Sequence, residues 1–299
     1  MTAPSRPCHR RRVLKVVLWA IVLSTAGVAG GMYGFNNVAL MSGDQFDRRL
    51  DDAIDQATGW IRAHRWEIAS SKNVAMFMFM KDCHEIHPDP LLATLVDGYL
   101  AGRITPDCWR RVLDRDHPVD RTGLNRSIRA ETIDNRWMLY AVAPDRAELD
   151  AEDLEGLFDA GRWKGRQLTH QVLALVRLQA GGEASARCEE TIARLCARIA
   201  GQLRLDIAVV DIYIQKIAVV LDAGHGEMID QRWVERVIDN QAPDGGWNDR
   251  WCRVFTSFRR PALDLADPPS NQHATIQALW LLYQVKYRYP ERFGGSAEG

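Results

Sequence analysis

LTHQVLALVRLQAGG, residues Leu168 to Gly182, carries apolar side chains at helical spacing, with Val172, Leu175, Val176 and Leu178 on or near one face. It closes on a turn of small residues. The same pattern recurs in VVDIYIQKIAVVLDAG from Val209 to Gly224 and in QHATIQALWLLYQ from Gln272 to Gln284. Each apolar stretch follows a more polar, amphipathic one. Aligning Leu178-Gln-Ala-Gly with Leu221-Asp-Ala-Gly gives a spacing of 43 residues, and an insertion over 252–270 sets the third unit further off. Periods of this size predict helix pairs stacked side by side.

Working outward, helical spacing continues over Phe46 to Ala69, Val74 to Cys83, Pro90 to Ala101, Thr105 to Asp114, Ile128 to Ala141, Ala151 to Phe158, Ala184 to Ala200 and Gln231 to Asp239. Turns are marked at Gly181-Gly182, Gly224 to Gly226, Pro243 to Gly246 and Pro268-Pro269. Alternating β-branched runs are scarce, so the expected fold class is all-α, with one helical domain over 44–290. The 299 residues are 46% hydrophobic and 26% charged, which suits a chain with a sizeable core.

Residues 1 to 43 hold Arg6, Arg10, Arg11, Arg12 and Lys15 and no acid. The whole chain has a formal charge of −1, so the remainder stands at −6. That balance offers no basic stripe for phosphates, and nucleic acid is not an expected partner. No residue from Val16 to Gly43 is charged. A span over 13–34 behind a basic tail at 1–12 reads as a signal anchor, with the tail in the cytoplasm and the domain periplasmic or extracellular. Val16 to Leu23 followed by small residues also fits a cleavable signal, and His9 to Lys15 resembles a twin-arginine signal with His9 in place of Ser or Thr.

Of the six cysteines, Cys8 falls on the cytoplasmic side, leaving five outside. A disulfide between Cys83 and Cys108 is the first expectation in an oxidising compartment. No CxxC pair is present, which argues against a structural zinc knuckle.

Gln241-Ala-Pro-Asp-Gly-Gly-Trp247 resembles the glutamine-tryptophan turn of the terpenoid cyclase and protein prenyltransferase toroids, in which paired helices form two concentric rings. The resemblance covers roughly 150–289. It implies an αα-toroid-like array following the N-terminal transmembrane helix, an outer helix at Gln231 to Asp239, an inner one at His273 to Tyr287, and a structural role for Trp247. In prenyltransferases an Asp, a Cys two residues later and a His at the start of a later inner helix bind zinc. Asp211 and His273 hold comparable places, but the residue two after Asp211 is Tyr213. A phenol replaces the thiolate poorly, so prenyl transfer to cysteine is not expected, and no metal or other cofactor is assigned.

Other motifs read as structure. Asp51, Asp52 and Asp55 form a DDxxD pattern, but they sit among charged neighbours on a solvated helix face. His84-Glu-Ile-His87 is one residue short of HExxH and precedes Pro88 and Pro90, which marks a helix end. Ala75-Met-Phe-Met-Phe-Met80 reads as core.

His170, Asp211 and His273 lie at or within the apolar helices, where a toroid would turn them towards its cavity; they are the candidate acid–base residues. Gln215, Trp251 and Trp280 are the candidate cavity residues, and the 252–270 insertion is a candidate loop over the mouth. The leading functional expectation is a membrane-anchored binding or scaffolding domain of the cell envelope, with an envelope polysaccharide or a protein as partner. The alternatives are a polysaccharide lyase or hydrolase with a central-cavity site, and isoprenoid chemistry.

Overall fold

The computed structural model describes residues 33–102, 107–161, 165–183, 185–206, 208–248 and 269–293, with positions 24, 27, 30 and 31. Every regular element among them is helical, and no strand is present among the described residues. Most of the expected membrane segment, 13–34, lies outside them. Among the described residues no helix is long and apolar enough to cross a membrane.

Two kinds of helix are present. Asp211–Asp222 and Gln272–Tyr283 are buried all round, from Tyr213 through Leu221 and from Ala274 through Tyr283. Gly43–Ala63 and Ala186–Leu203 are buried along one stripe, the second through Cys188, Ile192, Leu195, Cys196, Ile199 and Leu203. A helix apolar on every side must be enclosed by others, and an amphipathic one covers them from outside. Val74–Ile86 packs on Gln272–Tyr283, which packs on Asp211–Asp222, then Gly165–Ala180, then Ile133–Val142. A 3-10 turn at Asp107–Val112 touches both Ile133–Val142 and Val74–Ile86, so the sequence of contacts returns to its start. Ala186–Leu203 lies against Gly165–Ala180 and Asp211–Asp222, and Gln231–Asp239 against Asp211–Asp222 and Gly43–Ala63.

Side-chain caps start many of these helices. Asn73 accepts from the Ala75 N–H, Asp89 from Leu91 and Leu92 ahead of Pro90, Ser185 from Cys188, Asp230 from Arg232 and Asn271 from Ala274. Two expected helices are broken. Phe46 to Ala69 divides at His64 into Gly43–Ala63 and Arg65–Ala69, and Ile128 to Ala141 divides into Arg121–Ala130 and Ile133–Val142, because Thr132 adopts an extended N-cap conformation. Thr105 to Asp114 is represented by the 3-10 turn.

The 241–247 turn clamps three helices together. Gly245 has φ +90°, and a Cβ there would stand 2.6 Å from the Gln56 carbonyl oxygen, so only glycine fits. Gln241 Nε2 donates to the Ala53 and Gly245 carbonyls, each at 2.9 Å. Trp247 Nε1 donates to Val237 O at 2.8 Å, and its backbone N–H donates to Thr275 Oγ1 at 2.9 Å. Trp247 is 1% exposed and ties Gln231–Asp239 to Gln272–Tyr283. Burial acts to raise the Asp244 carboxyl, but hydrogen bonds from Ser270, the Gly246 N–H and Trp60 outweigh it and hold the group below its ordinary value.

The expected Cys83–Cys108 disulfide is absent: both are free, as are Cys188 and Cys196. Cys83 belongs to the main core and Cys108 to a smaller cluster around Leu124 and Leu139, so packing separates them. Burial pushes the Cys83, Cys108 and Cys196 thiols up, which leaves them as inert packing groups. Cys8 and Cys252 lie outside the described residues.

Candidate functional site

Asn73, Glu131, Asp211 and His273 stand at or beside the starts of Val74–Ile86, Ile133–Val142, Asp211–Asp222 and Gln272–Tyr283, and His170 is in the second turn of Gly165–Ala180. These five side chains line one cavity of about 630 Å³. That volume falls within the roughly 300–1,000 Å³ of small-molecule sites. Its wall adds Lys72, Asn135 and Gln215, the rings of Phe79, Tyr99 and Trp109, and apolar groups that include Met78, Met138, Leu173 and Ile212.

Asp211 opens its helix, where the preceding Val210 supplies no side-chain cap, and its Oδ1 accepts from the Ile212 N–H at 2.7 Å. A carboxylate is favoured at that position by the helix dipole. Glu131 is held from two sides: Trp109 Nε1 donates to Oε1 at 3.3 Å and Asn135 Nδ2 to Oε2 at 2.7 Å. The same contact fixes the Trp109 ring at the wall. Gln215 is 6% exposed, and its Oε1 accepts from Thr169 Oγ1 at 2.9 Å, which leaves its amide nitrogen as a donor for a ligand. Burial pushes the Tyr99 phenol up, and its ring stacks on Phe77 at 3.7 Å between centroids.

His273 is oriented through both ring nitrogens. Asn73 Oδ1 is committed to the Ala75 N–H at 3.1 Å, so its Nδ2 donates to His273 Nδ1 at 3.2 Å. Nδ1 therefore accepts, and the ring proton sits on Nε2, which meets the Gln277 side-chain amide at 2.9 Å. The Gln277 Oε1 otherwise stays buried without a partner. A half-turn of that amide sets Oε1 against the Nε2–H and satisfies both groups.

The residues singled out from sequence divide into three sets. His170, Asp211, Gln215 and His273 meet in this cavity. Trp280 does not line it: the ring is 0% exposed and stacks at 4.6 Å on Phe79, which faces the cavity in its place. Trp251 and the 252–270 insertion lie outside the described residues. Asp51, Asp52 and Asp55 are exposed, and Asp51 pairs with Lys286 at 2.6 Å. His84 Nδ1 accepts from the Asp89 N–H at 2.9 Å and His87 stacks on Tyr287, both at the end of Val74–Ile86. Met76 to Met80 are buried, with Met78 and Phe79 reaching the cavity. No group of three or more His, Cys, Asp or Glu side chains among the described residues is arranged to hold a metal ion.

Glu131, Asn135, Tyr99 and Trp109 were not expected from sequence, because 70–145 shows no repeat. One signal was present. Glu131-Thr-Ile-Asp134 is a helix start, and the other apolar helices also carry polar side chains into the cavity from or near their starts.

Comparison with family models, curated proteins and solved structures finds no match to this chain.

Proposed function

We propose that the chain is a membrane-anchored envelope protein whose helical domain is an αα-toroid, and that its cavity binds and hydrolyses an envelope saccharide. The observation that carries this reading is the meeting of two carboxylates, Glu131 and Asp211, with His170 and the faces of Tyr99 and Trp109 in one ligand-sized cavity. Aromatic faces suit the apolar side of a sugar ring, and the amide and carboxylate groups suit its hydroxyls. The return of the helix contacts to their starting point supports the toroid, as does the 241–247 turn joining an enclosed helix to two covering ones.

Hydrolysis of a glycosidic bond needs one group to take a proton from water as its oxygen bonds to the anomeric carbon, and another to protonate the departing oxygen as the old C–O bond breaks. Glu131, with both oxygens accepting hydrogen bonds, is suited to the base. Asp211 and His170, on the same cavity wall, are the titratable groups assigned to the acid side. His273, engaged at both nitrogens, is a positioning residue. Lys72, the one Lys or Arg on the wall among the described residues, stands with two carboxylates, a balance that favours a neutral or weakly charged sugar over a polyuronate. An elimination would instead leave a carbon–carbon double bond in the product.

The test is a thermal-shift series of the full chain in detergent against neutral and acidic oligosaccharides. Saturating ligand raises the melting temperature by mass action. A shift with neutral oligosaccharides that a folded His170→Ala variant lacks supports the reading. Equal behaviour of the two proteins with every saccharide overturns it.

A further inference from the structure

The large apolar side chains that the fold leaves open to water gather on one small area. Tyr33, Phe35, Val38 and Leu40 are 49%, 62%, 58% and 65% exposed and Leu205 is 72% exposed; Trp66 is the sole other such residue among those described. Hydrogen bonds bring Leu205 to the 33–41 stretch across the sequence. Asn36 Nδ2 donates to Asp206 O at 3.2 Å and Asn37 Nδ2 to Arg204 O at 3.1 Å.

The 33–41 stretch is pinned rather than loose. Trp233 Nε1 donates to Asn37 Oδ1 at 3.0 Å, and Arg232 Nε donates to Phe35 O at 3.0 Å. The Glu235 carboxylate, 0% exposed, takes the Leu40 and Met41 N–H groups at 2.9 and 3.0 Å. A flexible tether is solvated along its backbone and makes no such set of bonds.

We infer that this face rests on the lipid bilayer, so that the domain is seated on the membrane at a fixed angle. The inference depends on the membrane-anchor reading above. The uncharged stretch from Val16 leads straight into Tyr33, and the chain is already bound to the domain body four residues later. Any membrane that takes up the preceding segment lies against Leu205. Tyr33 suits the headgroup level, and Arg204, exposed beside Leu205, suits lipid phosphate. Patches of contiguous apolar side chains on a folded surface mark contact with a partner or a membrane. The seating reaches the cavity through Asp206, which pairs at 2.6 Å with Lys216 on the helix that carries Asp211 and Gln215.

The experiment uses the full chain with Cys8 and Cys252 replaced by serine and a polarity-sensitive fluorophore on Leu205→Cys. It is reconstituted in nanodiscs of phosphatidylcholine and phosphatidylglycerol. A control carries the dye on Glu155→Cys; Glu155 pairs with Arg187 at the far end of Ala186–Leu203, roughly 25 Å away along that helix. The expected result is blue-shifted emission at 205 that a lipid-borne quencher extinguishes, with position 155 unaffected. Emission at 205 that matches water while the protein floats with lipid overturns the seating and leaves the anchor standing. A blue shift that the lipid quencher does not touch also overturns it, and points to a second protein on the patch. Failure of the wild-type chain to float with lipid removes both the seating and the anchor reading, without touching the cavity.

Discussion

The two ends of the enclosed helices differ in how their polar groups are used. At the starts, Glu131, Asp211, Gln215 and His170 face an open cavity, and the Gln215 amide nitrogen is left to a ligand. Near the other ends, Asp82 pairs with Arg177, Arg115 Nη2 donates to the Arg177 carbonyl at 2.6 Å, and Asp222 pairs with Arg288 at 3.1 Å. Asp82 and the Asp222 side chain are 4% and 8% exposed. Charges buried against each other hold the helix ends in register, whereas polar groups gathered around empty space serve something that enters it.

The largest stability effect is expected at the paired end. Arg177→Ala leaves Asp82 buried without its cation and should cost about 3–5 kcal/mol, read from urea unfolding. A loss below about 1 kcal/mol would mean that the pair does not hold that end together. The next effect is on pH. Burial, against the pull of Arg177, lifts the Asp82 carboxyl from 3.8 to about 6, so the folded state binds this proton more tightly than the unfolded one. Its contribution is complete below about pH 4 and is lost as pH rises through about 6. The difference between wild type and Asp82→Asn should trace that loss, and a flat difference across the window would contradict it.

Smaller changes belong to the cavity end. Asn73→Ala removes both a helix cap and the donor to His273 Nδ1, and should cost about 1 kcal/mol by thermal unfolding. Asp211→Asn and Glu131→Gln should each stay within about 1 kcal/mol of wild type or exceed it, because groups kept for a ligand add little to folding. If these two cost as much as Arg177→Ala, the cavity end is structural and the contrast collapses.

Much of this contrast was legible in sequence, and the exceptions have physical causes. The apolar stretches at 168, 209 and 272 mark the enclosed helices, and the polar side chains at or near their starts, His170, Asp211, Gln215 and His273, share one cavity. Glu131 is hidden in the sequence because apolar spacing runs on from Ile128 to Ala141, and only the Thr132 cap interrupts it. Trp280 carries the large ring expected of a cavity wall, but on a helix buried all round most side chains face neighbours, and Phe79 intervenes. The Cys83–Cys108 pairing failed for a different reason: sequence spacing does not reveal that two thiols belong to separate clusters.

The central claim, that the cavity hydrolyses a saccharide, is tested most directly by following new reducing ends when the full chain is incubated with envelope oligosaccharides, wild type beside Glu131→Gln at equal thermal stability. Wild type should release saturated fragments, and the variant should be slower by roughly 10²–10⁴-fold, the usual worth of a general base. Equal rates in the two proteins, or no release by a folded wild type that binds none of the oligosaccharides, would contradict the account.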